Sequence, residues 1–142
     1  GNYGCLEIYC SRLTLFRNLK ANSRHSLPSP LNIDDVVQAY QIGDKEVVKE
    51  VNQMANYLAQ GLINFINLVN PDLIVLGDEY SLFGEPFLKI ISEKVKECSL
   101  KNIFENIKFQ LVQRTDDLVI NGSYHHVLQC VFFESNNNEL YV

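Results

Sequence analysis

The chain has 142 residues, 46% hydrophobic and 20% charged, with 12 Lys and Arg against 17 Asp and Glu for a formal net charge of −5. A chain of roughly 150 residues buries about 68–70% of the surface its unfolded form exposes, so this length suits one globular domain with a self-sufficient core. That apolar fraction excludes disorder, no apolar stretch approaches the ~20 residues of a membrane span, and the acidic balance excludes a grip on a nucleic-acid backbone by this piece.

Four cysteines stand at Cys5, Cys10, Cys98 and Cys130, without a CxxC pair or a His-rich cluster. Their expected state is the reduced thiol of a cytoplasmic protein, because a domain with this core has little need of disulfides. No start methionine, signal peptide or twin-arginine segment is present, and the opening Gly1-Asn2-Tyr3-Gly4-Cys5 reads like the middle of a motif, so a fragment is expected.

From the N-terminus, Leu6, Tyr9, Cys10, Leu13, Phe16 and Leu19 recur at helical offsets and predict one helix over residues 5–21. Residues 23–30, polar and punctuated by Pro28 and Pro30, predict a loop. Asn32 is a helix cap followed by Asp34 and Asp35 in the first turn, where the helix dipole favours carboxylates; Val36, Val37 and Tyr40 supply the apolar face and Gly43 ends the helix. Asp44 caps a long helix through Val69. Its apolar set (Val47, Val48, Val51, Met54, Ala55, Leu58, Gly61, Leu62, Phe65, Ile66, Val69) keeps unbroken 3-and-4 spacing. The small Ala55, Ala59 and Gly61 predict a close neighbour.

Asn70-Pro71 ends that helix, since proline biases its predecessor away from helical dihedrals. Leu73-Ile74-Val75-Leu76 is wholly apolar and reads as a strand buried on both faces, as in a parallel sheet, with Gly77 at its end. Gly84 and Pro86 open a helix bearing Phe87, Leu88, Ile90, Ile91, Val95 and Cys98. Residues 107–112 alternate with period two and predict a second strand, and a last helix runs from residue 118 or 122 to 133, stopped by Asn136-Asn137-Asn138. This order predicts a layered α/β domain with right-handed crossovers; two strands make a marginal sheet, which is expected to continue in sequence not present here.

Gly1-Asn2-Tyr3-Gly4-Cys5-Leu6-Glu7, with Ser11 following, resembles the second part of the ROK-family signature, C-G-N-x-G-C-x-E-x-x-x-S. That family contains sugar-responsive repressors, such as those for xylose and N-acetylglucosamine, together with sugar kinases. Ile42-Gly43-Asp44 resembles the family's Gly-Asp junction, and residues 55–76, ANYLAQGLINFINLVNPDLIVL, resemble its a-x-y-l-g-x-g-l-x-n-l-i-n-l-l-N-P-d-x-I-v-l-G-G stretch. Residues 118–132 resemble its final helix less closely. The resemblance implies an actin/hexokinase-like (ribonuclease H-like) fold, of which residues 1–142 are the C-terminal lobe, helix-rich with a short parallel strand pair.

Several residue roles follow from that resemblance. A sugar binds in the cleft between lobes, where Glu7 accepts hydrogen bonds from its hydroxyls while Asn2 and Gly4 shape the turn that presents it. Without the signature, Glu7 would read as a first-turn acid favoured by the helix dipole. Cys5 matches a zinc ligand whose other ligands, one histidine and two cysteines, lie upstream; zinc needs about four, so no cofactor is expected in this piece alone and structural zinc only in the full-length protein. Cys10, Cys98 and Cys130 read as core thiols. His25 reads as solvent-facing, and of the adjacent His125 and His126 one is expected to face solvent and one to pack.

At the nucleotide-loop position the family kinases have Gly-Gly, where this chain has Gly77 and Asp78, then Glu79. Carboxylates beside a triphosphate are repulsive, which speaks against ATP binding. Asp116-Asp117 reads as a cap rather than an acid–base pair, and Asn121-Gly122-Ser123, standing where the family has Gly-Ala-Ala, is expected to keep a close turn. The expected function is the effector lobe of a sugar-responsive repressor, homodimeric, meeting DNA only through an absent N-terminal domain; the alternative is the same lobe of a ROK sugar kinase.

Overall fold

The computed structural model describes residues 4–21, 27–98, 107–112 and 118–134. In chain order these form α1 (Leu6–Cys10), α2 (Arg12–Ala21), α3 (Ile33–Gln41), α4 (Lys45–Val69), β1 (Leu73–Leu76), α5 (Asp78–Ser81), α6 (Gly84–Cys98), β2 (Lys108–Leu111) and α7 (Leu118–Gln129), which continues into a π-helical turn, Cys130–Glu134. The expected α/β class holds: a helical layer packs on a short parallel strand pair.

The caps do what their residue types require. The Asn32 side chain accepts from the Asp34 N–H, and Asp44 Oδ1 accepts from the N–H groups of Glu46 and Val47, each at 3.1 Å. Between them the chain turns at Gly43, whose φ of +83° is open to glycine at no steric cost. The predicted span of α4 is found, and α1, α2, α3 and α6 all pack against it. Val47, Val51, Met54, Ala55, Leu58, Ala59 and Ile66 face the core, but Phe65 and Val69 are 47% and 52% exposed. In its last two turns only Ile66 stays buried, so the buried stripe is narrower than the apolar stripe. At the end of α4 Asn70 adopts φ 50°, ψ 59°, a left-handed cap that asparagine tolerates better than most residues.

The single helix expected over residues 5–21 is two helices. Ser11 takes an extended conformation (φ −80°, ψ 157°), closes α1 by donating its N–H to the Glu7 carbonyl, and accepts the Thr14 N–H on its own hydroxyl. A serine able to cap the next helix competes with helix continuation, and apolar periodicity does not register the break. The tight packing expected at the small residues of α4 is present at Gly61. A Cβ there would overlap Leu6 Cδ2 and stand 3.0 Å from Cδ1, so the bare backbone lets α1 lie close on α4.

β1 and β2 pair in parallel with Leu73 opposite Lys108 and Leu76 opposite Leu111. β1 was expected to be buried on both faces; instead Ile74 and Leu76 are buried while Leu73 and Val75 are 45% and 48% exposed. Among the described residues the helical layer covers one face only, so a wholly apolar strand presents half its side chains on the open face. The core centres on Phe87, Leu19, Ile66, Ile91, Val36, Val47, Val51 and Val95, all fully buried.

Other expectations change toward the C-terminus. Cys98, in the last turn of α6, is exposed and Cys130 half-buried, so neither is a core thiol. His125 and His126 are both exposed, because α7 presents Ile120, Tyr124 and Val127 outward as well. Asn121-Gly122-Ser123 lies inside α7 and makes no turn. His25, Asp116-Asp117, Asn2 and the segment after residue 134 lie outside the described residues. Among those described, no helix is long and apolar enough to cross a membrane.

Candidate functional site

Gly4, with φ +93°, turns the chain into α1 through a left-handed conformation that an L side chain rarely adopts. The turn expected at Gly4 is therefore present. Cys5 follows as the exposed residue before α1, and Glu7 lies in its first turn.

Glu7 borders a cavity of about 230 Å³. Ser11 and Arg12 come to it from the α1–α2 junction, and Asp78 and Glu79 from the start of α5. Leu15, Met54 and Phe83 form part of its apolar lining. The signature glutamate and the nucleotide-loop position, 71 residues apart in sequence, thus share one cavity.

Two interactions hold α5 against the signature helices. Arg12 Nη1 donates to Glu79 Oε1 in an ion pair between α2 and α5. The Tyr80 hydroxyl donates to the Cys10 carbonyl at 2.9 Å, tying α5 to the end of α1. Beneath them Tyr80 stacks on Phe87 with centroids 6.0 Å apart, and Phe83 meets both Phe87 and Tyr40. This aromatic column supports the cavity wall from the core.

Neither α5 nor its partners were foreseen. The sequence marks Asp78 and Glu79 only as a departure from Gly-Gly; in the structure Asp78 has φ +50°, a left-handed position that glycine adopts freely and aspartate tolerates. Arg12 carried no signal because its partner lies 67 residues away.

Cys10 is the buried thiol expected of it, its Sγ 3.2 Å from the Leu6 carbonyl and 3.8 Å from the Tyr80 hydroxyl. Burial pushes its pKa above the ordinary 9.0, with the Tyr80 hydrogen bond opposing that rise. Burial likewise raises the Tyr80 phenol well above 10.0, reinforced by Cys10, Glu79 and Glu7. Tyr40 is raised by burial alone. A group whose folded pKa lies above its unfolded value contributes stability that is complete below the unfolded pKa and disappears as pH rises through the folded one. Urea-unfolding midpoints are therefore expected to fall progressively above pH ~9, where cysteine and then tyrosine begin to ionise in the unfolded chain. Tyr80→Phe should flatten the part of that decline above pH ~10; an unchanged slope would mean that Tyr80 does not carry it.

Among the described residues no three His, Cys, Asp or Glu side chains cluster so as to hold a metal ion. The cavity carboxylates are thus no cation cage, and Cys5 has no set of fellow ligands among those residues.

Residues 1–125 match the ROK family. The chain belongs to the ROK family. Among its curated relatives, the xylose repressor of Caldicellulosiruptor bescii is 27% identical over 131 residues, covering 86% of this chain and 33% of the repressor. The glucokinase of Halalkalibacterium halodurans is 27% identical over 135 residues, covering 87% of this chain and 41% of the kinase. The crystal structure of a ROK family transcriptional regulator, a homologue of the Escherichia coli MLC protein, superposes with a TM-score of 0.70 at 26% identity, covering 78% of this chain and 30% of that one. The chain thus has the fold of a fragment of that actin-like regulator. The chain spans about a third of the length of the curated relatives it matches.

Proposed function

We propose that residues 1–142 are the C-terminal, sugar-binding lobe of a ROK transcriptional regulator of carbohydrate genes. The observation that carries this reading is the shared cavity: Glu7 borders it beside Asp78 and Glu79, which stand where the resemblance to the family kinases has Gly-Gly. A carboxylate is a strong acceptor for sugar hydroxyls, whereas side chains at Asp78 and Glu79 fill a position where the resemblance to the kinases has bare glycine backbone. A repressor among the relatives and a regulator among the solved structures support the same choice.

In this reading the sugar binds between the lobes, with Glu7 as hydroxyl acceptor and Asn2 and Gly4 shaping the turn that presents it. Differential affinity for two interlobe arrangements then repositions an N-terminal DNA-binding domain. Cys5 is one ligand of a structural zinc completed by residues upstream, where the metal would cross-link the base of the signature turn. The regulator is a cytoplasmic homodimer.

Calorimetric titration of the full-length protein with D-xylose, D-glucose and N-acetyl-D-glucosamine tests the reading. One of them should bind, and Glu7→Ala should weaken it at least tenfold, about 1.4 kcal/mol. Unaltered affinity in Glu7→Ala removes that residue from the site. The glucokinase relative favours the second reading, a sugar kinase lobe. Sustained sugar-dependent ATP turnover in a coupled assay would establish it in place of the first.

A further inference from the structure

We propose that Tyr80 is a positioning residue for sugar binding: its hydroxyl, hydrogen-bonded to the Cys10 carbonyl, fixes the short helix that carries Glu7. The inference rests on the sugar-binding reading above and concerns what holds the sugar-contacting carboxylate in place.

The reason lies in how α1 ends. It is a helix of five residues, entered through the left-handed turn at Gly4 and left through extended backbone at Ser11. In an unbroken α-helix the Cys10 carbonyl would accept the Thr14 N–H, four residues on. Here that N–H is directed to the Ser11 hydroxyl at 3.4 Å. The break thus leaves the Cys10 carbonyl without its helical donor, and the Tyr80 hydroxyl supplies one from α5 at 2.9 Å. The same turn is closed by the Ser11 N–H on the Glu7 carbonyl at 3.0 Å, so Tyr80 acts on the turn that begins at Glu7 itself.

A helix this short has too few internal hydrogen bonds to hold its own course, and contacts from outside set it. Against α4 those contacts run through Leu6 at Gly61 and Tyr9 at Tyr57, side chains that are 41% and 40% exposed and free to shift. The Tyr80 contact is anchored more firmly. Its ring stacks on the fully buried Phe87 with centroids 6.0 Å apart, nearly parallel at 9°. The hydroxyl is therefore held from the core, and α1 is held from the hydroxyl. Tyr80 also borders the cavity, and a hydroxyl acting through Glu7 differs measurably from one that meets the sugar.

The test is a double-mutant cycle on the full-length protein, titrated calorimetrically with D-xylose, D-glucose and N-acetyl-D-glucosamine. Tyr80→Phe keeps the ring on Phe87 and removes only the hydroxyl; thermal melts report its folding. It should weaken the bound sugar at least about threefold, yet change affinity by less than about 1.5-fold when added to Glu7→Ala, where nothing is left to position. A loss of equal size in both backgrounds means that the hydroxyl acts on the sugar or on the fold at large, and overturns the inference. Full affinity in folded Tyr80→Phe overturns it as well. Amide hydrogen exchange of the ligand-free protein gives a second reading that needs no residual affinity in Glu7→Ala. Tyr80→Phe should speed exchange in α1 at least about threefold and leave the middle of α4 unchanged; no change in α1, or an equal rise in both, overturns the inference and leaves the sugar reading standing. No binding of any of the sugars, or unaltered affinity in Glu7→Ala, overturns the reading on which it rests.

Discussion

Phe87→Ala is expected to destabilise the protein by about 3–5 kcal/mol, the range for removing a fully buried aromatic side chain and leaving a cavity behind. Phe87 is the largest of the fully buried side chains, stacked on Tyr80 with centroids 6.0 Å apart and tilted against Phe83 at 5.4 Å. A domain of ordinary stability holds roughly 5–15 kcal/mol in total, so this one change should lower the thermal midpoint steeply or unfold the chain at physiological temperature. The loss reaches the site, because Tyr80 and Phe83 both line the cavity. Phe87→Leu, which keeps much of the volume, should retain the fold and weaken the proposed sugar binding by a smaller factor. Urea unfolding with parallel ligand titration checks both; a loss under about 1 kcal/mol for Phe87→Ala would mean that the aromatic column is not the support described here.

The second large effect is expected at Gly61. Gly61→Val should cost about 1–3 kcal/mol as an overpacked contact, because the added carbons enter space occupied by the end of the Leu6 side chain. Gly61→Ala should differ in kind. Leu6 is 41% exposed and free to swing aside, and alanine gains about 0.5–1 kcal/mol over glycine inside a helix, so the net change should be close to zero. Glu7 is the next residue after Leu6, so a valine that displaces α1 should also weaken the sugar binding proposed for Glu7, whereas alanine should not. If valine and alanine behave alike in both stability and affinity, the close approach of α1 to α4 does not position Glu7.

These two positions show how differently the parts of this chain were legible in the sequence. The extent of α4 could be read directly: an aspartate cap, apolar residues at 3-and-4 spacing and a terminal Asn-Pro are local signals, each acting within a turn or two. β1 and β2 could be read for the same reason, from a branched apolar run and a period-two alternation. Gly61 announced a close neighbour without naming it. The break at Ser11 was not read, because a hydroxyl that caps the next helix leaves the apolar periodicity on either side intact.

Local sequence, then, determined most helix and strand positions, the caps at Asn32 and Asp44 and the family, since those depend on residue types a few positions apart, but not the break at Ser11 or the short α5. The tertiary structure decided what faces what. It left Leu73 and Val75 on an open face of a strand that composition alone marks as buried, exposed Cys98 where an apolar stripe suggested core, and exposed both His125 and His126 where one was expected to pack. It also brought Arg12 to Glu79 and Tyr80 to Cys10, joining the signature glutamate to the altered glycine loop in one cavity. Pairings across 67 and 70 residues leave no periodic trace in the chain, because they arise only when separate helices have packed on the same core. The length of 142 residues marks a single core, and the packing of that core makes a cavity from residues near both Gly4 and Gly77.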